Sequence, residues 1–325
     1  MAGYKPYLTS DDLIASIKRR AAIPVSQVTF SNQDLLDFAN EEMQMGILPS
    51  VLQLHEEFFL NMEDVPLQAN VNKYEIPYRA VGSKLRDIVF EDTNGNLYEM
   101  ARISPDERVH YQFADGSFNQ AYRFYIENNA VVPVPGVGDN VSGSFVMAYY
   151  MRPNQLVLNS RAAIITGTSV SGLNTILQLS SAPSNIVDGS VVDFLQTAPG
   201  HRTLKYDYTF GSGTVNQVNK TYTIPTADLP TSLSVGDYIC LAQEAIIPQI
   251  PAELHPVLAQ RAAARCLESL GDTSGLQNAN LKLAEMEAKL TNIIDNRAES
   301  SPIKVVNFHS PLRYGKFRKI GYNRY

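Results

Sequence analysis

The chain has 325 residues, 44% hydrophobic and 18% charged, with 27 basic and 33 acidic side chains and a formal net charge of −6. That apolar share supplies a sizeable core over about two domains of ~150 residues, and excludes a disordered chain, a collagen and a coiled-coil rod. No apolar run reaches the ~18 residues of a membrane helix, and residues Met1 to Pro6 lack the apolar stretch of a signal peptide. The two cysteines, Cys240 and Cys266, cannot make a disulfide framework or a four-ligand zinc site, and they read as small buried apolar residues. A reducing cytosol is the expected compartment, so the sequons at Asn140 and Asn219 carry no meaning.

The chain opens helical. Ser10-Asp11-Asp12 supplies an N-cap and early acids, Leu13, Ile14 and Ile17 form an apolar stripe, and Lys18, Arg19 and Arg20 suit the negative helix end before Pro24. A second helix starts at the capping-box variant Ser31-x-x-Asp34 and carries Leu35, Phe38, Ala39 and Met43 at helical spacing. Pro49 fits the first turn of a third, expected to run with Val51, Leu52, Leu54, His55, Phe58 and Phe59 to about Met62.

Near Val65 the period changes. Lys73 to Tyr78 alternates, and Leu85–Glu91 and Leu97–Ile103 flank Thr93-Asn-Gly-Asn96, read as a type I′ hairpin. Ala121–Ile126 and Val131–Val134 flank a turn at Glu127-Asn-Asn129, and Ser144–Tyr150 is a further strand stopped by Pro153. From Leu158 to Ala245 short apolar runs alternate with Gly, Ser, Asn and Thr. The expected strands are Ala163–Thr166, Thr175–Leu179, Val191–Leu195, Leu204–Phe210, Lys220–Ile224 and Tyr238–Leu241.

Helix returns at Pro251 or Ala252, with Leu254, Leu258, Ala262, Cys266 and Leu270 on one stripe and Gly271 as the stop. The last helix, Ser274 to Asn296, would bury Leu276, Leu283, Met286, Leu290 and Ile293. The expected fold class is therefore α+β. A helical bundle is built from both chain ends, because neither helical set has a second hydrophobic layer of its own. A large inserted β region forms two β-barrel or sandwich subdomains, and an extended C-terminal arm follows. The expected boundaries are 1–62 with 248–298 for the helical domain, 63–157 and 158–247 for the β subdomains, and 299–325 for the arm.

The arm carries the strongest functional signal. From Ser301 to Tyr325 it has six cations, Lys304, Arg313, Lys316, Arg318, Lys319 and Arg324, and no acid. Removing those six from 27 basic residues leaves 21 against 33 acids, so the body is −12. Phe308, Tyr314, Phe317, Tyr322 and Tyr325 interleave with the cations. Aromatic area and planar guanidinium pairing suit a partner subunit or DNA.

Signals for catalysis are sparse. His55, His110, His201, His255 and His309 show no metal-ligand spacing. Gly136-Val-Gly138 and Gly211-Ser-Gly213 lack the strand-to-helix setting of a phosphate loop, and there is no Walker sequence or Gly-x-Ser-x-Gly elbow. Asp193, His201 and Asp207 could gather around a metal or a water. Their spacing is ordinary for β loops, and Pro199-Gly200-His201 reads as a tight turn. No cofactor, metal site or catalytic centre is expected.

Four segments carry a resemblance. Leu13-Ile-Ala-Ser-Ile-Lys-Arg-Arg-Ala21, Asp34-Leu-Leu-Asp-Phe-Ala-Asn-Glu-Glu-Met43, Glu75-Ile-Pro-Tyr-Arg-Ala-Val-Gly-Ser-Lys-Leu-Arg-Asp87 and Ile250-Pro-Ala-Glu-Leu-His-Pro256, followed by Ala259-Gln-Arg261, resemble head proteins of tailed bacteriophages. Paired helical ends, a central insertion and a C-terminal arm are similar to the head-to-tail connector, or adaptor, family. The resemblance covers both helical ends and the first β half and weakens from Leu158 to Ala245. It implies a structural virion protein, made in the bacterial host cytoplasm and placed at the head–tail interface. It implies a ring, usually of twelve copies, under the portal protein and around the exit channel for genome ejection. The arm then reaches the portal, the β insertion faces the tail nozzle or other tail proteins, and genomic DNA passes without sequence-specific contact. No membrane contact is implied. The acidic body fits a channel that must not bind phosphate. A β region this long exceeds a minimal adaptor. A tail nozzle or receptor-binding subunit is the alternative of similar composition, and a tail-associated hydrolase would need an acid or nucleophile pair.

Overall fold

The computed structural model describes residues 5–24, 29–111, 122–138 and 142–294. The chain is α+β, with several open sheets and few helices.

The first helices form where local chemistry dictates. In α1 (Ser10–Arg20) Thr9 is the N-cap, and its hydroxyl and the Asp12 carboxylate satisfy each other's backbone N–H groups. In α2 (Asn32–Glu42) Ser31 and Asp34 do the same. The backbone then widens into a π-helical turn at Met43–Ile47 and resumes as α3 (Leu48–Leu54), with Pro49 in its first turn.

The third helix does not reach Met62. His55 breaks it at φ −147°, a short 3-10 turn follows at Glu56–Phe59, and strand β1 already runs from Leu60 to Pro66. The reason is pairing: Leu60 through Pro66 align antiparallel with Tyr150 through Ser144. A complete ladder outweighs the helical spacing of Phe58, Phe59 and Met62.

The next strands are β2 (Tyr74–Glu75), β3 (Ala80–Glu91), β4 (Leu97–Glu99), β5 (Ala101–Arg102), β6 (Arg123–Glu127), β7 (Ala130–Val134) and β8 (Ser144–Met151), with the short helix α4 (Arg108–Tyr111) between β5 and β6. They form two four-stranded sheets, ordered β1-β8-β3-β4 and β2-β7-β6-β5. The expected single strand Leu97–Ile103 is split, its halves pairing in different sheets. Both sheets contribute to one core, Ile88, Phe145, Met147 and Tyr149 from the first and Tyr74, Phe124 and Val131 from the second. The β3–β4 hairpin forms as expected, but its turn is not type I′. Only Gly95 has positive φ, and the Asp92 carboxylate accepts from the backbone of Asn94 and Asn96. The β6–β7 turn carries the two successive positive φ values, at Asn128 and Asn129.

After β9 (Gln155–Leu156) come β10 (Ala163–Ser171), β11 (Asn174–Leu179), β12 (Val191–Leu195), β13 (Thr203–Thr209), β14 (Val215–Asn216), β15 (Thr221–Pro225) and β16 (Tyr238–Leu241). These seven form one sheet, ordered β13-β12-β16-β10-β11-β15-β14. Its two halves meet at β10, where the register shifts between Ile165 and Gly167, and both halves contribute to a core of Ile165, Leu177, Phe194, Phe210, Tyr222 and Ile239. The expected barrels are not present. Among the described residues no strand order closes on itself, because the terminal strands β13 and β14 each pair on one side only. A bend at one bulged strand brings the halves together over their core without a closing ladder.

The short strand β17 (Glu244–Ala245) pairs parallel with β9. Helix α5 (His255–Leu270) ends at Gly271, whose φ of +71° is the left-handed stop. Helix α6 (Thr273–Ile294) starts over Asp272, which accepts from Gly275 N–H. One hydrophobic cluster draws on both chain ends, including Leu13, Ile17, Leu35, Met43, Leu258 and Cys266. Each such side chain, fully withdrawn from water, stabilises by about 1.5–3 kcal/mol. Of the face expected on α6, Leu276 packs on this cluster, and among the described side chains of the helix Ala279 is the buried one. Glu42 on α2 ties the set together by accepting from Arg261 and Arg265 of α5, while Arg261 also pairs with Glu287 of α6. Among the described residues no helix is long and apolar enough to cross a membrane.

Candidate functional site

The arm residues Lys304, Phe308, Arg313, Tyr314, Lys316, Phe317, Arg318, Lys319, Tyr322, Arg324 and Tyr325 lie outside the described residues. Among the described ones, the candidates Asp193, His201 and Asp207 are divided between two buried polar centres.

The first is a clasp around Arg79, the residue just before β3. Asp193 lies on β12 and Asp207 on β13, where the pairing register slips between Val192 and Leu195 and Asp207 takes a φ of +51°. That irregularity turns the Asp207 backbone N–H onto the Asp193 carboxylate at 3.0 Å. Arg79 is 5% exposed and Asp193 fully buried. The guanidinium grips Asp193 through both terminal nitrogens at 2.9 Å each. It also donates to Asp207 at 2.6 and 3.3 Å. Asp193 accepts further from the Asn154 amide at 3.1 Å and the Gln243 backbone N–H at 3.0 Å, and Asp207 accepts from the Tyr78 hydroxyl at 2.6 Å. The Tyr78 and Tyr206 rings lie against the guanidinium, with centroids 5.3 and 5.2 Å away.

The electrostatics follow from burial and pairing. For Arg79, burial works against the charge, but the two carboxylates win and its pKa rises. For Asp207, burial raises the pKa, while hydrogen bonds from Arg79 and Tyr78 outweigh it and hold the carboxyl below its ordinary value. Burial and then the Asp207 hydrogen bond push Tyr78 up to about 12. Two carboxylates and one guanidinium leave a single negative charge, and Asp207 carries it at the half-exposed rim. Asp193 has no oxygen free for a substrate proton or a metal. The clasp's chemistry is spent on holding residues 79, 154 and 193–207 in one geometry.

His201 belongs to the second centre. Its ring lies 5.5 Å from that of His255 and 5.2 Å from that of Tyr7, measured between centroids. His255 is fully buried at the start of α5. Its Nδ1 accepts from the Leu8 backbone N–H at 2.9 Å, so its Nε2 is the protonated nitrogen and faces the carbonyls of Pro248 and Ile250 at 3.2 and 3.3 Å. Burial, and then the neighbouring His201, lower the His255 pKa to about 4. Burial also lowers His201, whose Nδ1 has no hydrogen-bond partner. Both rings are thus neutral near pH 7.

Two buried amides tie neighbouring segments together. Asn40 of α2 accepts from Leu156 N–H at 2.7 Å and donates to its carbonyl at 3.1 Å. Gln249 accepts from Asn154 N–H and donates to Thr203. Sequence alone does not single out Arg79, Asn40, Asn154 and Gln249 as partners in these centres. An isolated Arg or amide at a strand edge or helix face reads as solvated, and their signal is the clustering of long-range partners, which only the fold supplies. Among the described residues, no group of three or more His, Cys, Asp or Glu side chains could hold a metal. Cys240 and Cys266 are both buried free thiols.

No protein-family model matches the chain, and no curated protein is similar to it.

Proposed function

We propose that the chain is a structural protein of a tailed-phage virion, whose copies form a ring joining the portal to the tail around the DNA exit channel. The observation that carries this reading is the shared hydrophobic cluster of Leu13, Leu35, Leu258 and Cys266, contributed by helices from opposite ends of the sequence around a long β insertion. That is the chain organisation the connector resemblance implies, with the helices as a bundle from which the β subdomains project.

Charge supports it independently. A body of net −12, from 21 basic and 33 acidic residues, repels phosphate and lets DNA slide past. The six cations and five aromatics after Ser301 suit an acidic protein partner, and the portal is the one proposed. The saturated Arg79 clasp fits a rigid spacer, since its hydrogen bonds fix geometry and leave Asp193 nothing with which to turn over a substrate.

The test is to add the purified protein to DNA-filled, tail-less heads and image them. The expected result is a ring of about twelve copies at one vertex, with DNA retained. Loss of attachment on deleting residues after Ser301, with the fold intact, supports the arm's assignment to the portal. A free trimer that binds cells would instead favour a receptor-binding tail protein and overturn the ring. Hydrolysis of cell-wall polymer would overturn the structural reading altogether.

A further inference from the structure

Beside the histidine pair lies a cavity of about 270 Å³, between the 3-10 turn Glu56–Phe59 with the start of β1 on one side and the start of β13 on the other. Phe58, Phe59 and Met151 give it an apolar floor. His201 borders it, only 3% exposed and with its Nδ1 unpartnered. Arg202 and Tyr206 line the same space, and neither the guanidinium nor the phenol hydroxyl has a hydrogen-bond or ion-pair partner among the described residues. The contrast is local. The neighbouring Thr203 and Gln249 bond each other, and Asn61 bonds Tyr149.

The charge count restricts what could enter. Arg202 is the one fixed cation in the lining, and the exposed Glu57 at its edge is the one acid. His201 is kept neutral by burial. Burial likewise pushes the Tyr206 hydroxyl up to about 12, so it stays a donor at neutral pH. A phosphate dianion would need a second fixed cation. A carboxylate needs one planar fork and one more donor, which is what the lining holds. The size, just below the ~300–1,000 Å³ of drug-sized sites, admits a single ring or branched alkyl group on the apolar floor and excludes a nucleotide.

We propose that this cavity binds a carboxylate on an aryl or branched-alkyl stem, with Arg202 and Tyr206 donating to the carboxylate, His201 forming the polar wall beside them, and the stem lying on Phe58, Phe59 and Met151. The same chemistry is offered by a free aryl carboxylic acid and by a peptide whose C-terminal residue is aromatic. In either case the site takes one monoanion per subunit.

Phenylacetate is the probe, titrated into the full chain while the His201 ring signals are followed by NMR and the heat by calorimetry. The shifts should saturate. Arg202→Gln, at an exposed side chain, should weaken binding ~10-fold or more with unchanged Tm, and Tyr206→Phe by ~3-fold, as expected for a charge-assisted and a neutral hydrogen bond. The neutral isostere 2-phenylethanol should bind at least ~10-fold more weakly. A blocked peptide ending in phenylalanine, compared with its C-terminal amide and with phenylacetate, distinguishes the two sources. Tighter binding of the acid peptide assigns the site to a protein C-terminus, and tighter binding of phenylacetate assigns it to a free acid. Absence of a saturable His201 shift at millimolar probe overturns the proposal, as does equal binding of the alcohol or unchanged affinity in Arg202→Gln.

Discussion

The Arg79 clasp and the His201–His255 pair are neighbours solved by opposite means. The clasp buries full charges and satisfies each of them, five hydrogen bonds converging on Asp193 alone. The histidine pair buries two ionisable rings and keeps them uncharged, leaving one nitrogen of His201 unpartnered. Burial of a charge is tolerated only with partners, whereas burial of a neutral imidazole needs little but loses its tolerance when a proton arrives. The first centre should therefore be brittle to substitution and the second brittle to acid.

The largest expected effect breaks the clasp. Asp193→Ala leaves the Arg79 guanidinium buried beside a single half-exposed carboxylate and should cost about 3–5 kcal/mol in urea unfolding, the range for removing one partner of a buried pair. The double variant Arg79→Met, Asp193→Leu should recover much of that loss, because no unpaired charge is left behind. Equal destabilisation of single and double variants would mean that the hydrogen-bond geometry, and not charge burial, governs the site.

Acid sharpens the comparison. An unfolded histidine takes its proton near pH 6.5, while His255 in the fold resists until about 4. Between those values the unfolded chain binds more protons, so stability is full above 6.5 and falls as pH drops toward 4, by on the order of 3 kcal/mol. His201, also lowered, adds to the same window. Asp207 acts in a different one. Its depressed carboxyl contributes above the ordinary aspartate range, and that part is lost only as pH falls through its folded value, with solvent screening at the rim keeping it small. Unfolding curves at pH 7.5, 6 and 5 should already fall, above the range in which an ordinary aspartate takes up its proton. His255→Gln, measured against its own value at pH 7.5, should flatten that early drop. A profile that is level down to pH 4 would contradict the buried-neutral assignment.

Next in size is the join between helices and sheets. Asn40→Ala removes two buried hydrogen bonds to Leu156 and leaves its N–H and carbonyl unsatisfied, an expected loss of at least about 2 kcal/mol, from the lower end of the roughly 1–3 kcal/mol per orphaned group. Faster hydrogen exchange at the Leu156 amide would localise it. The smallest effect is Tyr78→Phe. It removes the hydrogen bond donated to Asp207 and the one accepted from Arg79 Nε at an exposed phenol and should cost about 1–1.5 kcal/mol, with no change in the acid profile between pH 6.5 and 4.

Some of this architecture was legible before folding, and particular residues show why. The Ser31–Asp34 box, the stop at Gly271 and the turn at Asn128–Asn129 are set by neighbours a few residues apart. The start of β1 was not legible, since Phe58 and Phe59 have helical spacing and only the ladder with Ser144–Tyr150 decides against it. The site divides in the same way. Asp193, His201 and Asp207 stand out in the sequence only as residues that could gather around a metal or a water, while the partner Arg79 is 114 residues away from Asp193 and its burial has no local signature.

The sequence by itself determined the α+β content, the helices at both ends, the strand-rich middle and the sharp charge contrast between the body and residues after Ser301. These depend on period, capping and count, which are properties of short segments. Tertiary structure alone decided that the sheets stay open, that Asp207 joins Arg79 while His201 joins His255, and that Arg202 and Tyr206 line a cavity with no hydrogen-bond or ion-pair partner among the described residues. Those outcomes depend on which distant segments meet. A buried polar group takes its charge state and its role from the partners that arrive, not from its neighbours in the chain.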